Sequence, residues 1–503
     1  MHLGLHCSRQ FFTATITNKE TSEIIFQKSI HYDEDLAHRD TQGGFVKNSN
    51  TKQSYLDPQM LAEALDLLFE AIYEENSAII AEVTTISGSS APATVFLNRP
   101  VSEIQLNPSI PLTDQLREFY SYRHSPIARD QSAENAADLI KEKFSSSRPI
   151  RDITGIPMTS HTGAAQIKKL SDEQPTIWEQ TRSVHTSGSF LCSLLIGKDA
   201  PIDLTDSSQL GLLDIKSRKW YSEIVEFVAP NLQEKLPQLV EPPRSAGFIS
   251  DYFKLKYGFS DQTRCLAWIS EEAAHCLGTG NLVQGEASLV LDETYSLNIS
   301  IKTIPSEVPN ACKVTIHPLQ GYIAHIYLEN GLTPLIHTAK RLNISHEAID
   351  SHLDVIHSVA DEIHLPFLQK ESALGIPNVN FDKANILSVI NGQLLHLKLF
   401  SQWIEQPMHS IIITGEAAKL ESIGQLCSNI YQTPSYSIRS INIPTIGATI
   451  LEEIFLDTPF KEIKNKYHTE VFSKCKLPEP YMANVYNISL NKYHQILTEH
   501  LSN

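Results

Sequence analysis

The chain has 503 residues, with 41 Lys plus Arg against 58 Asp plus Glu and a formal net charge of -17. A single hydrophobic core stops growing near ~250–300 residues, so this length predicts two domains. The acidic balance repels nucleic acid and anionic membranes, argues against both as partners, and gives a nucleotide no general attraction, so a nucleotide site would have to be built locally.

No apolar run is long enough to cross a bilayer, and MHLGLHCSRQ lacks the basic start and apolar stretch of a signal peptide, so a cytoplasmic protein is expected. The seven cysteines (Cys7, Cys192, Cys265, Cys276, Cys312, Cys427 and Cys475) form no CxxC pair. They read as free thiols acting as small core hydrophobes, not as disulfides or zinc ligands.

In chain order, Leu3 to Cys7 and Phe11 to Ile16 are strand-like and predict a hairpin, with a further strand at Ile24 to Ser29. Residues 57–76 carry apolar side chains at helical spacing after an Asp-Pro start. AIIAEVTTISGSSA then reads as a buried strand ending in a small-residue loop. Strand and helix alternate, which predicts an α/β domain. A second segment of the same kind begins near Cys265. CLAWIS is strand-like, a turn follows at Gly278 to Gly280, and ASLVLDETYSLNIS reads as a hairpin. HSIIITGEAAKLESIGQLCSNIY then predicts strand, glycine turn and helix. The boundary between halves is expected near 244–264. The shared order, hairpin first and strand-turn-helix units after, suits a duplicated fold.

Several stretches are similar to eukaryotic xylulose kinases, members of the FGGY family of carbohydrate kinases. SGSFLCSLLIGKDAPIDLTDSSQLGLLDI (187–215) resembles a family helix followed by an "APIDxSDxSGMNLLDI"-like segment. SPIARD (125–130) resembles "SPIWMD", and ITGIPMTSHTGAAQIKKL (153–170) resembles an "LTGSxxxxxFTGxQIxKL"-like region. YLENGLTPL, IPTIGATILEEI and the tail CKLPEPYMANVYNISLNKYHQIL follow family segments in the same order. The resemblance implies an α/β, two-lobed, actin-like ATPase (ribonuclease H-like) fold with a cleft between lobes. It places a sugar-binding lobe at 1–250 and a nucleotide-binding-like lobe with a helical tail at 251–503.

It also implies roles for single residues. Asp206, in TDSSQ, stands where the family has a carboxylate that takes the sugar hydroxyl's proton, with Gln209 in place of the following Gly. An Asp beside Ser also caps or braces turns, so catalyst and cap both remain open. Asp130 matches an Asp that binds sugar hydroxyls; a surface Asp near a proline turn is the plainer reading. Ala128 and Arg129 replace the neighbouring Trp and Met, and GSSAPAT (88–94) replaces a loop rich in Gln, His and Gly.

The nucleotide loops depart furthest. The family hairpin "GxDxSTQ" is met by GLHCSRQ, with His6 for the Asp that organises Mg²⁺ and Arg9 for the Thr. Imidazole is a poor ligand for hard Mg²⁺, and Arg9 fills room that phosphates need. "SLGTSDT" is met by VLDETYS, with Asp292 for Gly and Glu293 for Thr. "TGDNPAS" is met by ISEEAAH, with Glu271 for Gly and Glu272 for Asp. "TGGAS" is met by TGEAA, which keeps Gly415 and puts Glu416 at the second Gly. Glycine lets backbone N–H groups approach phosphate, whereas a carboxylate ~4 Å from one costs about 1 kcal/mol in water and about 4 at an effective dielectric of 20.

These changes predict a pseudokinase of xylulose-kinase ancestry, binding a sugar or a protein partner and needing no cofactor or metal. The alternative is an active xylulose kinase moving the ATP γ-phosphate to the 5-hydroxyl of D-xylulose with Mg²⁺. A structural scaffold using its acidic face is a third reading.

Overall fold

The computed structural model describes the chain except residues 47–51, 128–129, 146–147, 310–311, 354–362, 372–374, 439–441, 473–474 and 503. It packs as two units. The first is Met1–Gly278 with Ile316–Leu319 and Asn442–Tyr467; the second is Thr279–Thr315, Gln320–Ile441 and His468–Asn503. The chain thus passes between units at Gly278, beyond the expected 244–264 stretch. That stretch stays in the first unit because Ser245–Phe248 and Arg264–Leu266 pair antiparallel within its sheet.

The first unit's sheet uses β1 (His2–Cys7), β2 (Phe11–Thr17), β3 (Ile24–His31), β4 (Thr85–Ser90), β5 (Ser245–Phe248), β6 (Arg264–Leu266) and β7 (Ile269–Ser270). The order is β5-β6-β4-β1-β2-β3, with β7 also on β4. β1 and β2 form the predicted hairpin, and β4 runs parallel to β1 with Leu3 opposite Ile86 and His6 opposite Ser89. CLAWIS breaks into two strands around Ala267 and Trp268, where the Trp268 ring is buried edge-on to Phe12.

The first long helix runs Pro58–Ala81, capped by Asp57, which accepts from the Gln59 amide at 2.9 Å. Proline at the first helical position is pre-set for the helix. The element continues past residue 76 to Ala81, with a kink at Asn76, so Ala78 to Ala81 extend it and the expected strand starts only at Thr85. Ile80 is buried on the helix's apolar side, so burial overrode the strand-like run of aliphatics.

The second unit repeats the plan with β8 (Glu286–Leu291), β9 (Tyr295–Ile301), β10 (Cys312–Ile316), β11 (Tyr322–Leu328), β12 (Ser410–Thr414) and β13 (Ser435–Ser437), ordered β10-β11-β9-β8-β12-β13. β8 and β9 are the predicted hairpin, and β12 lies parallel to β8 as β4 lies parallel to β1. Helices Ile386–Leu399, Glu421–Tyr431 and Met482–Ser502 belong to this unit. Six cysteines are buried and free, but Cys475 is exposed, so the core reading fails for that one. Among the described residues no helix is long and apolar enough to cross a membrane.

Candidate functional site

In the first unit Asp206 sits in the one-turn helix Leu204–Ser207 and is 1% exposed. Thr186 donates its hydroxyl to Asp206 Oδ2, while Oδ1 has no hydrogen-bond partner. The helix is capped by Asp203, whose Oδ1 accepts from the Thr205 amide at 2.7 Å and the Thr205 hydroxyl at 2.6 Å. Asp206 is therefore not the cap. Stripping water from the two carboxyls raises Asp206 to about 7 and Asp203 to about 8, against the hydrogen bonds from Thr186 and Thr205. The sequence reading missed both Asp203 and Thr186. The signal for each was a Thr or Asp directly ahead of a short helix, the preferred N-cap type.

His6 lies on β1 and is buried, with Nδ1 2.9 Å from Ser89 Oγ on the parallel neighbour β4. Its Nε2 lies 3.4 Å from Glu271 Oε1. Glu271 and Glu272 open the helix Glu271–Gly278, where the exposed N–H dipoles favour negative charge. Burial pushes the Glu271 carboxyl up, but His6, His275 and Arg9 outweigh that and hold it below its ordinary value. Glu272 accepts from the Gln209 side chain, so the residue standing in the glycine's place ties the 204–210 turn to this helix. Paired without a gap, ISEEAAH sets Ser270 against the family Gly and Glu271 against the Asp, one position before the expected pairing. The Arg9 guanidinium lies over the Phe45 ring, 5.3 Å from its centroid.

Asp130 is buried and its carboxylate is filled from within. It accepts from the Ser54 amide at 2.9 Å, the Ser132 amide at 2.8 Å, the Gln166 side chain at 3.0 Å and the Ser132 hydroxyl. It is neither a surface residue nor an open acceptor. Ala128 and Arg129, expected beside it, lie outside the described residues. In GSSAPAT, Gly88, Ser89 and Ser90 are strand residues of β4.

In the second unit Asp292 and Glu293 fall between β8 and β9. Asp292 Oδ1 accepts from the Glu416 amide at 2.7 Å, and Lys419 pairs with Glu416 at 2.6 Å. Burial raises the Asp292 carboxyl, the Glu416 amide bond opposes this, and the charges of Glu416 and Glu293 add to the rise. Gly415 is retained at φ +97°, and a Cβ there would come within 2.8 Å of the Leu291 backbone. The glycine thus serves a tight crossing against β8. The two acidic loops close on each other, the carboxylate of one taking up an amide of the other. Among the described residues, no group of three or more His, Cys, Asp or Glu side chains is placed to hold a metal ion.

Residues 125–278 match the N-terminal domain of the FGGY family of carbohydrate kinases. The chain is 26% identical over 499 residues to xylulose kinase 2 of Arabidopsis thaliana, covering 90% of this chain and 86% of that protein. It is 23% identical to xylulose kinase of Mus musculus, covering 89% and 84%. Among solved structures it resembles a xylulose kinase from Brucella ovis (TM-score 0.82, 16% identity, covering 100% of this chain and 99% of that one). It also resembles a Plasmodium falciparum glycerol kinase with ADP (TM-score 0.77, 14% identity, covering 99% and 98%).

Proposed function

We propose, from the premise that this chain belongs to the FGGY family of carbohydrate kinases and is a homologue of xylulose kinases, that it is a pseudokinase: a cytoplasmic binding or regulatory scaffold in which ATP-dependent phosphoryl transfer is lost. One observation carries the reading. Where the resemblance calls for the Asp that organises Mg²⁺, His6 stands buried, with Nε2 3.4 Å from Glu271 Oε1. Mg²⁺ wants several oxygen ligands, and an imidazole bonded to Ser89 on one side and set against Glu271 on the other does not fit it.

The second unit supports the same reading. Asp292 spends its charge on the Glu416 amide, in two loops whose counterparts bring backbone donors to phosphate. Asp206 keeps one oxygen unbonded, but at 1% exposure a sugar hydroxyl has no path to it without rearrangement. Isothermal titration with Mg-ATP should give no saturable heat, and a coupled ADP-release assay with D-xylulose no turnover. Saturable binding in the micromolar range, or turnover abolished by Asp206→Asn, would establish the active kinase instead.

A further inference from the structure

We propose that the sheet-edge strand β5, with Lys198, Arg244 and Arg264 around it, docks an extended acidic segment of a partner protein. The proposal names a partner class for the scaffold role above and rests on that reading, though its test needs neither nucleotide nor sugar.

The surface lies wholly in the first unit. β5 ends that unit's sheet and pairs with β6 alone. Ile249, just past β5, gives its amide to the Thr263 carbonyl at 3.0 Å. An antiparallel ladder alternates, so Phe248 turns its own amide and carbonyl to the open side. An edge of this kind accepts one more strand unless it is guarded. The bulge between Ser245 and Gly247 confines that pairing to the Phe248 end, where the Phe248 ring is 46% exposed.

So short an edge makes few main-chain bonds, and side chains must supply the rest of the affinity. The Arg264 guanidinium lies 4.8 Å from the centroid of Phe248 and 5.8 Å from that of Phe455. Its Nη1 donates to Ser245 Oγ at 3.2 Å. The rings and the hydroxyl hold the planar fork in place, and its other N–H groups can meet a carboxylate in two bonds. Arg244 directly precedes β5, and a Cβ on Gly247 would come 3.4 Å from Lys198 Cε; both cations are exposed. None of the three has a carboxylate partner among the described residues. The acids nearest them in sequence are engaged elsewhere. Asp199 accepts from the Val101 amide at 3.0 Å, Glu241 pairs with Arg218 at 2.8 Å, and Asp261 pairs with Lys254 at 2.9 Å.

Charge selects the occupant. The chain carries a net charge of -17, so an anion is turned away from most of its surface. Screening reaches about 8 Å at physiological salt, which leaves the local cations in control of this strip. A nucleic acid brings one charge per ~1.7 Å of duplex, far more than three cations can match against an acidic body. An acidic peptide matches them charge for charge and also fills the strand edge.

The test is fluorescence anisotropy of the full chain with a labelled (Glu-Val)6 peptide. Binding should saturate in the micromolar range and weaken as salt rises. Arg244→Glu and Lys198→Glu should each weaken it about three-fold or more. Arg264→Lys, which keeps the charge and loses the fork, should weaken it about ten-fold. The unliganded variants should melt close to the parent, which separates lost contacts from lost fold. The same peptide N-methylated throughout keeps its charge but has no amide donors, and should also bind about ten-fold more weakly. No saturation, binding unchanged in the charge variants, or equal binding of the N-methylated peptide would each overturn the proposal. So would tighter binding of (Lys-Val)6 or of an oligothymidylate, or a dimer that Arg244→Glu dissociates, which would assign the strip to a second copy. ADP release from ATP with D-xylulose would sink the pseudokinase reading and leave this docking surface standing.

Discussion

Asp203, Asp206 and Glu452 lose their water on folding and are paired too thinly to recover its value. Burial raises Glu452 to about 7 even though His2 and Ser87 contact it, as it raises Asp206 to about 7 and Asp203 to about 8. An acid whose pKa rises on folding takes up a proton in the native state. Its stabilising contribution is complete below the unfolded pKa and is lost as pH climbs through the folded one. His275, held down to about 4 by burial, works the other way between pH 4 and 6.5. Comparing the parent with Asp206→Asn cancels what the two share. Urea unfolding at pH 5 and pH 8 should show the parent losing about 2–3 kcal/mol more than the variant across that span. Equal losses would mean that Asp206 ionises in the native state much as it does in water. Asp206 itself was legible in the run TDSSQ. Its environment was not, because Thr186 lies 20 residues upstream and only packing brings its hydroxyl in.

Helices Glu271–Gly278 and Ile443–Phe455 meet backbone to backbone in the first unit. A Cβ on Gly447 would stand 1.8 Å from the Ala274 carbonyl oxygen, so only glycine permits this approach. Gly447→Ala should therefore destabilise the protein by about 2–3 kcal/mol, as overpacking of a close contact does, and calorimetry would show the midpoint falling. An unchanged midpoint would mean that the two helices part at little cost. This contact gives Gly447, within the run IPTIGATILEEI, a packing role. Elements with a strong local signal were readable from the chain: the hairpins alternate apolar and polar residues, and Pro58 with Asp57 marks a helix start. The boundary after Asn76 was not, since Ile79 and Ile80 suit a helix face and a strand equally well. The acidic loops were readable as charge. Their closing on one another, through the amide of Glu416, follows from the pairing of β8 with β12, a register that no local run of residues encodes.

The duplicated plan was visible in the chain as two hairpins with strand-turn-helix units behind them, and each unit sets a later strand parallel to its hairpin's first strand. What the chain did not disclose is that the first unit is discontinuous. Residues Asn442–Tyr467 return to it before the second unit resumes at His468. The returning helix is buried along most of its length, and Ser87 on β4 donates to the Ala448 carbonyl at 2.5 Å and to Glu452 at 3.0 Å. Thr15 donates to Thr445 at 2.9 Å, and Lys466 binds Glu453. Without this segment, Ser87 and His2 would lose their partners and an apolar face of the sheet would meet water. An unmade bond of this kind costs about 1–3 kcal/mol for each buried group, a large share of a domain's margin of about 5–15 kcal/mol. Residues 1–278 alone should therefore lack a cooperative thermal transition by circular dichroism. The same residues joined through a flexible Gly/Ser linker to 442–467 should regain one. Cooperative melting of 1–278 alone, with the parent's midpoint, would show that the returning helix is an appendage and not part of the first unit's core.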